Sequence, residues 1–307
     1  MPNEAYWIAL YSTPGVGPVT CRALWERFGD VRNVFAAPHA ELARVSGLRR
    51  ETIAALLHPE RAIRAAEEAV SRLTDDGFAV VTLEDASYPR SLLDLRDPPP
   101  VLYALGELPG PDERTFSVAG VTEPSARGVD IARTAGRELA RAGWTVVSGY
   151  APGVDTAAHT GALAAGGRTV LCLPTGIRTF ALRPEFEPFR GELGRNMVLV
   201  SECPPDDAWA RRHAVARDRI IAALGRALLV VEADVEGGTM ITFRRARKLG
   251  RPVYVIKYRR PPSAAPGNRQ AIRAGGLPVE SLAALRRIVR AATLPDIAPR
   301  PRQGVLF

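Results

Sequence analysis

The chain has 307 residues, 46% of them apolar, and 41 Lys and Arg against 33 Asp and Glu give it a net charge of +8. That is enough core-forming residue for one large domain and a smaller one. No apolar run approaches membrane-span length, MPNEAYWIAL at the start lacks a leader pattern, and Cys21, Cys172 and Cys203 have no metal-ligand spacing. Together these exclude a membrane protein, predict no metal or cofactor, and point to a soluble cytoplasmic protein.

Residues 1–75 read as a small all-helical domain, with short helices over 19–28, 39–44, 51–57 and 59–73. Two glycine turns, Gly15-Val16-Gly17-Pro18 and Ser46-Gly47-Leu48, resemble those of helix-hairpin-helix (SAM-like) modules, whose amides grip a DNA phosphate. Plain helix capping explains them equally well. Residues 76–112 read as a connector, because Pro98, Pro99 and Pro100 oppose regular structure and suit an interdomain crossing.

From 113 to 290 strands and helices alternate. A strand ends at Ser117-Val118-Ala119-Gly120, an amphipathic helix covers 129–142, and a β-branched strand covers 145–147. Ser148-Gly149 and Pro152-Gly153 form a small-residue loop, after which Asp155 is expected to N-cap an alanine-rich helix, one turn ahead of His159. Strands follow at 169–173, 197–200, 227–231 and 252–256. Between them fall the triplet Arg217-Asp218-Arg219 with a helix over 220–224, the turn Gly237-Gly238-Thr239, and a basic helix over 242–249. This alternation predicts an α/β fold, a Rossmann-like doubly wound and mostly parallel sheet. Ligands of such sheets sit at the carboxyl ends of strands, so Gly120, Gly149, Gly153, Gly237, Gly238 and Thr239 should share one rim facing a phosphate-bearing ligand. Small-residue turns also serve packing alone.

Charge is uneven. Residues 240–307 hold fifteen Lys or Arg and two acids, a net +13, which leaves −5 for the rest. Ten of those cations lie between Arg244 and Arg273 with no acid among them. A field of that kind suits a polyanion such as nucleic acid; a solvated arginine-rich face is the other reading.

Several stretches together resemble the DNA-processing protein A (DprA, also Smf) family: Tyr88-Pro89, DPPPVLYALG, VSGYAPGVDTAAHTGAL, SECPP, RDRIIAALGRALLVVEA, EGGTMIT and PGNRQAIRAGG. The resemblance implies a Rossmann-like core behind a small helical domain, single-stranded DNA binding, self-association as a homodimer, and loading of a RecA-type recombinase during natural transformation. It implies no catalytic activity. The DNA- or phosphate-binding positions it suggests are Gly120, Thr122, Ser125, Ser148, Gly149, Gly153, Arg211, Arg217, Arg219, Gly237, Gly238, Thr239 and Arg244. The chain departs from the family pattern inside that set. Thr122 and Glu123 stand where cations are usual, Pro152 replaces an Arg, Asp218 replaces the amide of an Arg-Asn-Arg triplet, and Ala214 replaces an aromatic. Losing a stacking ring alone should cost about 1–3 kcal/mol per base. A different class, nucleotide-sensing or nucleotide-processing relatives of the LOG type, would use the same rim, but the Glu they carry after Gly-Thr is absent: Met240, Ile241, Thr242 and Phe243 follow here.

Residues 291–307 read as a Pro-rich tail, too short for the winged-helix domain of many relatives. It ends Gln303-Gly304-Val305-Leu306-Phe307, which resembles the Gln-x-x-Leu-Phe peptide that docks in the bacterial sliding clamp, through Gln303, Leu306 and Phe307. An apolar end that packs on its own domain is the other reading.

Overall fold

The structure is a computed structural model and describes residues 3–291. Six helices come first: α1 (Asn3–Ser12), α2 (Pro18–Phe28), α3 (Val31–Ala36), α4 (His39–Leu42), α5 (Arg50–Leu57) and α6 (Glu60–Asp75). Pro18 opens α2 at a position that needs no N–H, and Gly29 closes it in the left-handed region at φ 76°.

The connector is not irregular throughout. It carries β1 (Ala79–Thr82) and β2 (Val101–Leu105), which pair antiparallel with each other and, through β2, with the central sheet. The prolines at 98–100 do interrupt regular structure, but β2 begins at the next residue, a place where a missing N–H costs no ladder bond. Tyr88 fixes the same stretch by donating its hydroxyl to the Pro99 carbonyl at 2.9 Å.

The remaining elements alternate as expected: β3 (Thr115–Ala119), α7 (Ala126–Arg141), β4 (Thr145–Gly149), α8 (Val154–Leu163), β5 (Thr169–Cys172), β6 (Met197–Ser201), α9 (Arg211–Leu224), β7 (Ala227–Val230), α10 (Gly238–Lys248), β8 (Val253–Ile256), α11 (Gly267–Arg273), β9 (Leu277–Val279) and α12 (Leu282–Ala291). They form a nine-stranded sheet in the order β1-β2-β6-β5-β4-β3-β7-β8-β9. From β6 across to β9 every pairing is parallel. Strand order reverses at β3, with β4 on one side and β7 on the other, and α9 makes the long crossover from β6 back to β7.

The helical segment is not set apart at residue 75. Trp7, Leu10, Leu24 and Leu56 belong to one apolar cluster with Val170, Leu171 and Leu199 of the sheet. The opposite sheet face is covered by α7, α8 and α12, through Ala132, Leu139, Ala158, Leu285 and Val289. Two ties hold α12 there: Trp144 Nε1 donates to the Val289 carbonyl at 2.8 Å, and Arg286 meets Glu138 at 2.9 and 3.0 Å. The three cysteines are buried and free, and no helix among the described residues is long and apolar enough to cross a membrane.

Candidate functional site

The reversal at β3 puts the switch point at the carboxyl ends of β3, β4 and β7, and in doubly wound sheets ligands bind in the crevice there. Helix α9 crosses it, and Arg217 occupies the centre, only 7% exposed. The guanidinium fits because β4 ends in glycine: a Cβ on Gly149 would fall 1.3 Å from Arg217 Nη1. Two carboxylates flank the cation without reaching it. Asp155 Oδ2 is 3.7 Å from Nη1, and Asp218 Oδ1 is 3.7 Å from Nε. Both nitrogens are buried and have no hydrogen-bond partner. A buried donor left unpaired costs about 1–3 kcal/mol, and these two lie on different sides of the guanidinium, each turned toward its own carboxylate.

Burial raises the Asp155 carboxyl above the ordinary carboxylate range, against the opposing pull of Arg217. The same cause pushes Asp218 up to about 6. The crevice is therefore a cation between two reluctant anions, one of which takes up a proton near pH 6.

Several expected roles change in the structure. Asp155 is not the N-cap of α8; Gly153 takes that place with no side-chain bond, and Asp155 faces inward, 2.9 Å from Ser148 Oγ. The Ser148 hydroxyl is fully buried, and also lies 2.6 Å from the Val118 carbonyl, so its side chain braces the crevice floor from within. His159 does not pair with Asp155. Its Nε2 lies 2.7 Å from the Gly149 carbonyl and its Nδ1 2.5 Å from Thr169 Oγ1. A carbonyl only accepts, so Nε2 carries the proton, and the single Thr169 hydroxyl proton is shared between Nδ1 and the Val146 carbonyl at 2.9 Å. Burial lowers the imidazole to about 4, so it is neutral and holds the end of β4 in place.

Arg219, expected at a phosphate, is instead an internal tie. It is 6% exposed and grips Glu202 with both arms, Nη2 to Oε2 at 2.5 Å, while Nε donates to the Asp97 carbonyl at 3.2 Å. Ser125 is also engaged. Its N–H and hydroxyl donate to the fully buried Glu232 carboxylate at 2.8 and 2.6 Å, and it N-caps α7 by accepting from Gly128 N at 3.0 Å. Glu232 thus fills the anion position at the α7 N-terminus. Nothing in the local pattern around Glu232 marks that role, because its partner lies 107 residues away.

The other expected residues do reach the rim. Thr122 and Glu123 are exposed on the loop after β3, whose Thr122 carbonyl would lie 2.4 Å from a Cβ on Gly153. Gly120 seats α8, since a Cβ there would fall 2.4 Å from Val154 Cγ2. Gly237 and Gly238 are exposed and Thr239 half-buried at the start of α10, with the Asp218 carboxylate facing that first turn. Arg211 is exposed at the start of α9 and Arg244 on the outside of α10. Beside Arg219 opens a cleft of about 700 Å³ with Arg211, Arg212 and Arg245 in its wall.

The basic block of 244–273 divides in two. Arg245 donates to the Val215 carbonyl at 2.8 Å and Arg251 to Asp94 at 2.8 Å, both internal. Lys257, Arg259, Arg269 and Arg273 line a second hollow of about 370 Å³ past the end of β8. Gln303, Leu306 and Phe307 lie outside the described residues. No group of His, Cys, Asp and Glu among the described residues could hold a metal ion.

The family model of DNA recombination-mediator protein A matches residues 79–289. The chain belongs to that family. Curated members similar to it include Protein Smf of Synechocystis sp., 31% identical over 258 residues that span 83% of this chain and 64% of that protein. The DNA processing protein DprA of Bacillus subtilis is 29% identical over 183 residues, 59% of this chain and 61% of that protein. The chain thus matches rather less than two thirds of the length of these relatives. Among solved structures, DNA processing protein A from Streptococcus pneumoniae superposes with a TM-score of 0.77 at 26% identity, covering 93% of this chain and 97% of that one. DNA processing protein A from Helicobacter pylori superposes with a TM-score of 0.60 at 25% identity, covering 70% and 95%. The Rossmann-like core and its preceding helices are those of this family.

Proposed function

We propose that the protein binds single-stranded DNA along the carboxyl rim of its sheet, with Arg217 taking one backbone phosphate. It acts by delivering that strand rather than by catalysing a reaction, handing it as a homodimer to a RecA-type recombinase during DNA uptake and recombination. The observation that carries the reading is the buried Arg217 guanidinium, with Nε and Nη1 unpaired, at the switch point of the sheet. Family membership supports it, as does the Helicobacter pylori relative, whose structure is described for its single-stranded DNA binding mode. The terminal Gln303, Leu306 and Phe307 support a further contact with a sliding clamp; a pull-down with Leu306 and Phe307 removed should lose it.

Fluorescence anisotropy with labelled oligo-dT and a matched duplex over a salt series tests the central statement. Salt-sensitive binding that prefers the single strand is expected. Binding indifferent to strandedness overturns it.

A second reading is a nucleotide-binding protein of the LOG type using the same rim. Glu123 on the rim and the two acids beside Arg217 favour it, because they make the rim less attractive to a polyanion. A specific nucleotide would raise the melting temperature by mass action, so a thermal-shift panel separates the two.

A further inference from the structure

Trp209 is 63% exposed, well ahead of the next most exposed large apolar side chains among the described residues, Val19 and Val235 at 49%. The other tryptophans serve the interior. Trp7 and Trp144 are 0% and 2% exposed, and Trp25 packs edge-on against Trp7 with ring centroids 6.0 Å apart. Leaving an indole in water forgoes the burial energy of the largest apolar side chain, so its position calls for a partner.

The surroundings say what kind. Trp209 directly precedes Ala210, the N-cap of α9, and is followed by the exposed Arg211 and Arg212. Two acids lie close by in the chain. Asp206 pairs with Arg178 at 3.0 Å, and Asp207 faces His213 at 3.7 Å. Neither Arg211 nor Arg212 has an ion pair or side-chain hydrogen bond among the described residues, so two unpaired cations follow the exposed ring by two and three residues. The segment leading to the ring is held in place as well: Arg178 N donates to the Pro205 carbonyl at 3.0 Å and Gly176 N to the Asp207 carbonyl at 2.8 Å. An exposed aromatic ring on an anchored segment, followed within three residues by two free cations, has the groups needed to stack a base and meet its phosphates.

We infer that Trp209 is a stacking platform for one nucleobase of a single DNA strand, with Arg211 and Arg212 meeting the phosphates on either side. Resting on the DNA-binding reading above, the inference extends the path of the strand beyond Arg217. Arg211 and Arg217 share α9 and are separated by about 9 Å along its axis, a short reach for a flexible strand.

The test uses the intact chain and oligo-dT. Because the other indoles are buried or half-buried, acrylamide quenching reports mainly on Trp209, and bound oligo-dT should shield it. Trp209→Ala should weaken oligo-dT binding about 5- to 150-fold, the equivalent of one lost base stack, while leaving the salt slope unchanged because no phosphate contact is removed. Trp209→Phe should recover most of the affinity. An oligonucleotide of abasic sites should bind the parent and Trp209→Ala alike. Unchanged quenching on DNA binding together with parental affinity in Trp209→Ala overturns the inference. If Arg217→Ala weakens binding in the same assay, the DNA-binding reading itself stands. Shielding of Trp209 by a recombinase but not by DNA also overturns it, and marks a protein-docking residue instead. Failure of the parent chain to bind oligo-dT overturns both statements.

Discussion

Arg217 and Arg219 are two residues apart on α9 and do opposite work. One holds unused donors in the crevice, and the other spends every nitrogen on Glu202, Asp97 and the Ala216 carbonyl. Arg219→Ala should therefore act on stability, because it strands a buried Glu202. A loss of about 3–5 kcal/mol is expected in urea denaturation, with an unchanged salt slope of DNA binding in the folded fraction. Asp218 sets the pH response. As pH falls through about 6 its carboxyl takes a proton and one negative charge leaves the neighbourhood of Arg217. Oligo-dT affinity should rise between pH 7.5 and 5.5, and Asp218→Asn should show the higher affinity already at pH 7.5, by about 5- to 30-fold, with a flatter profile. The same raised value fixes the sign for folding. Asp218 favours the folded state at low pH and this contribution is lost as pH rises through about 6. Asp218→Asn should thus be more stable than the parent at pH 8, with the gap closing toward pH 4.

At the scale of elements, the site depends on how closely α8 lies on α7. A Cβ on Gly136 would fall 2.0 Å from the Ala158 carbonyl oxygen, and one on Gly161 2.1 Å from that of Arg133. Helix α8 carries Asp155 and His159, so any separation of the pair moves the crevice floor. Gly136→Ala or Gly161→Ala should cost about 1–3 kcal/mol by denaturant melt and weaken DNA binding as well. Most elements here are legible in the sequence, because β-branched runs ending in glycine and followed by amphipathic stretches have few other solutions. Helices α1, α3, α11 and α12 and strands β1, β2 and β9 are absent from the sequence reading, and for the strands the physical reasons are plain. Strands β1 and β2 hide in a proline-marked connector, yet proline beside a strand start is harmless. Strand β9 has three residues, one of them proline, too short for a period. The rim itself was readable from glycines at strand ends. Which of its cations and hydroxyls are free was not, because Arg219 finds partners 17 and 122 residues away and Ser125 finds Glu232 at a distance of 107.

For the whole molecule, helices, connector and sheet form a continuous body. Trp7 and Leu10 share a core with Leu171 and Leu199, and Arg219 and Arg251 tie the connector at Asp97 and Asp94 to the sheet side of the molecule. This frame holds a neutral His159 and two buried acids around one cation, an arrangement that exposed loops alone could not maintain. Charge divides in the same way: internal arginines build the frame, while Arg211, Arg212, Arg244, Arg259, Arg269 and Arg273 remain exposed. The central claim is that Arg217, buried at the switch point, grips a DNA phosphate. The most direct measurement is the salt dependence of oligo-dT binding for Arg217→Ala beside the parent, both checked as folded by circular dichroism. Loss of one phosphate contact should weaken binding and flatten the plot of log affinity against log salt by about 0.7. A parental slope and affinity in Arg217→Ala would contradict the account and put the DNA elsewhere on the molecule.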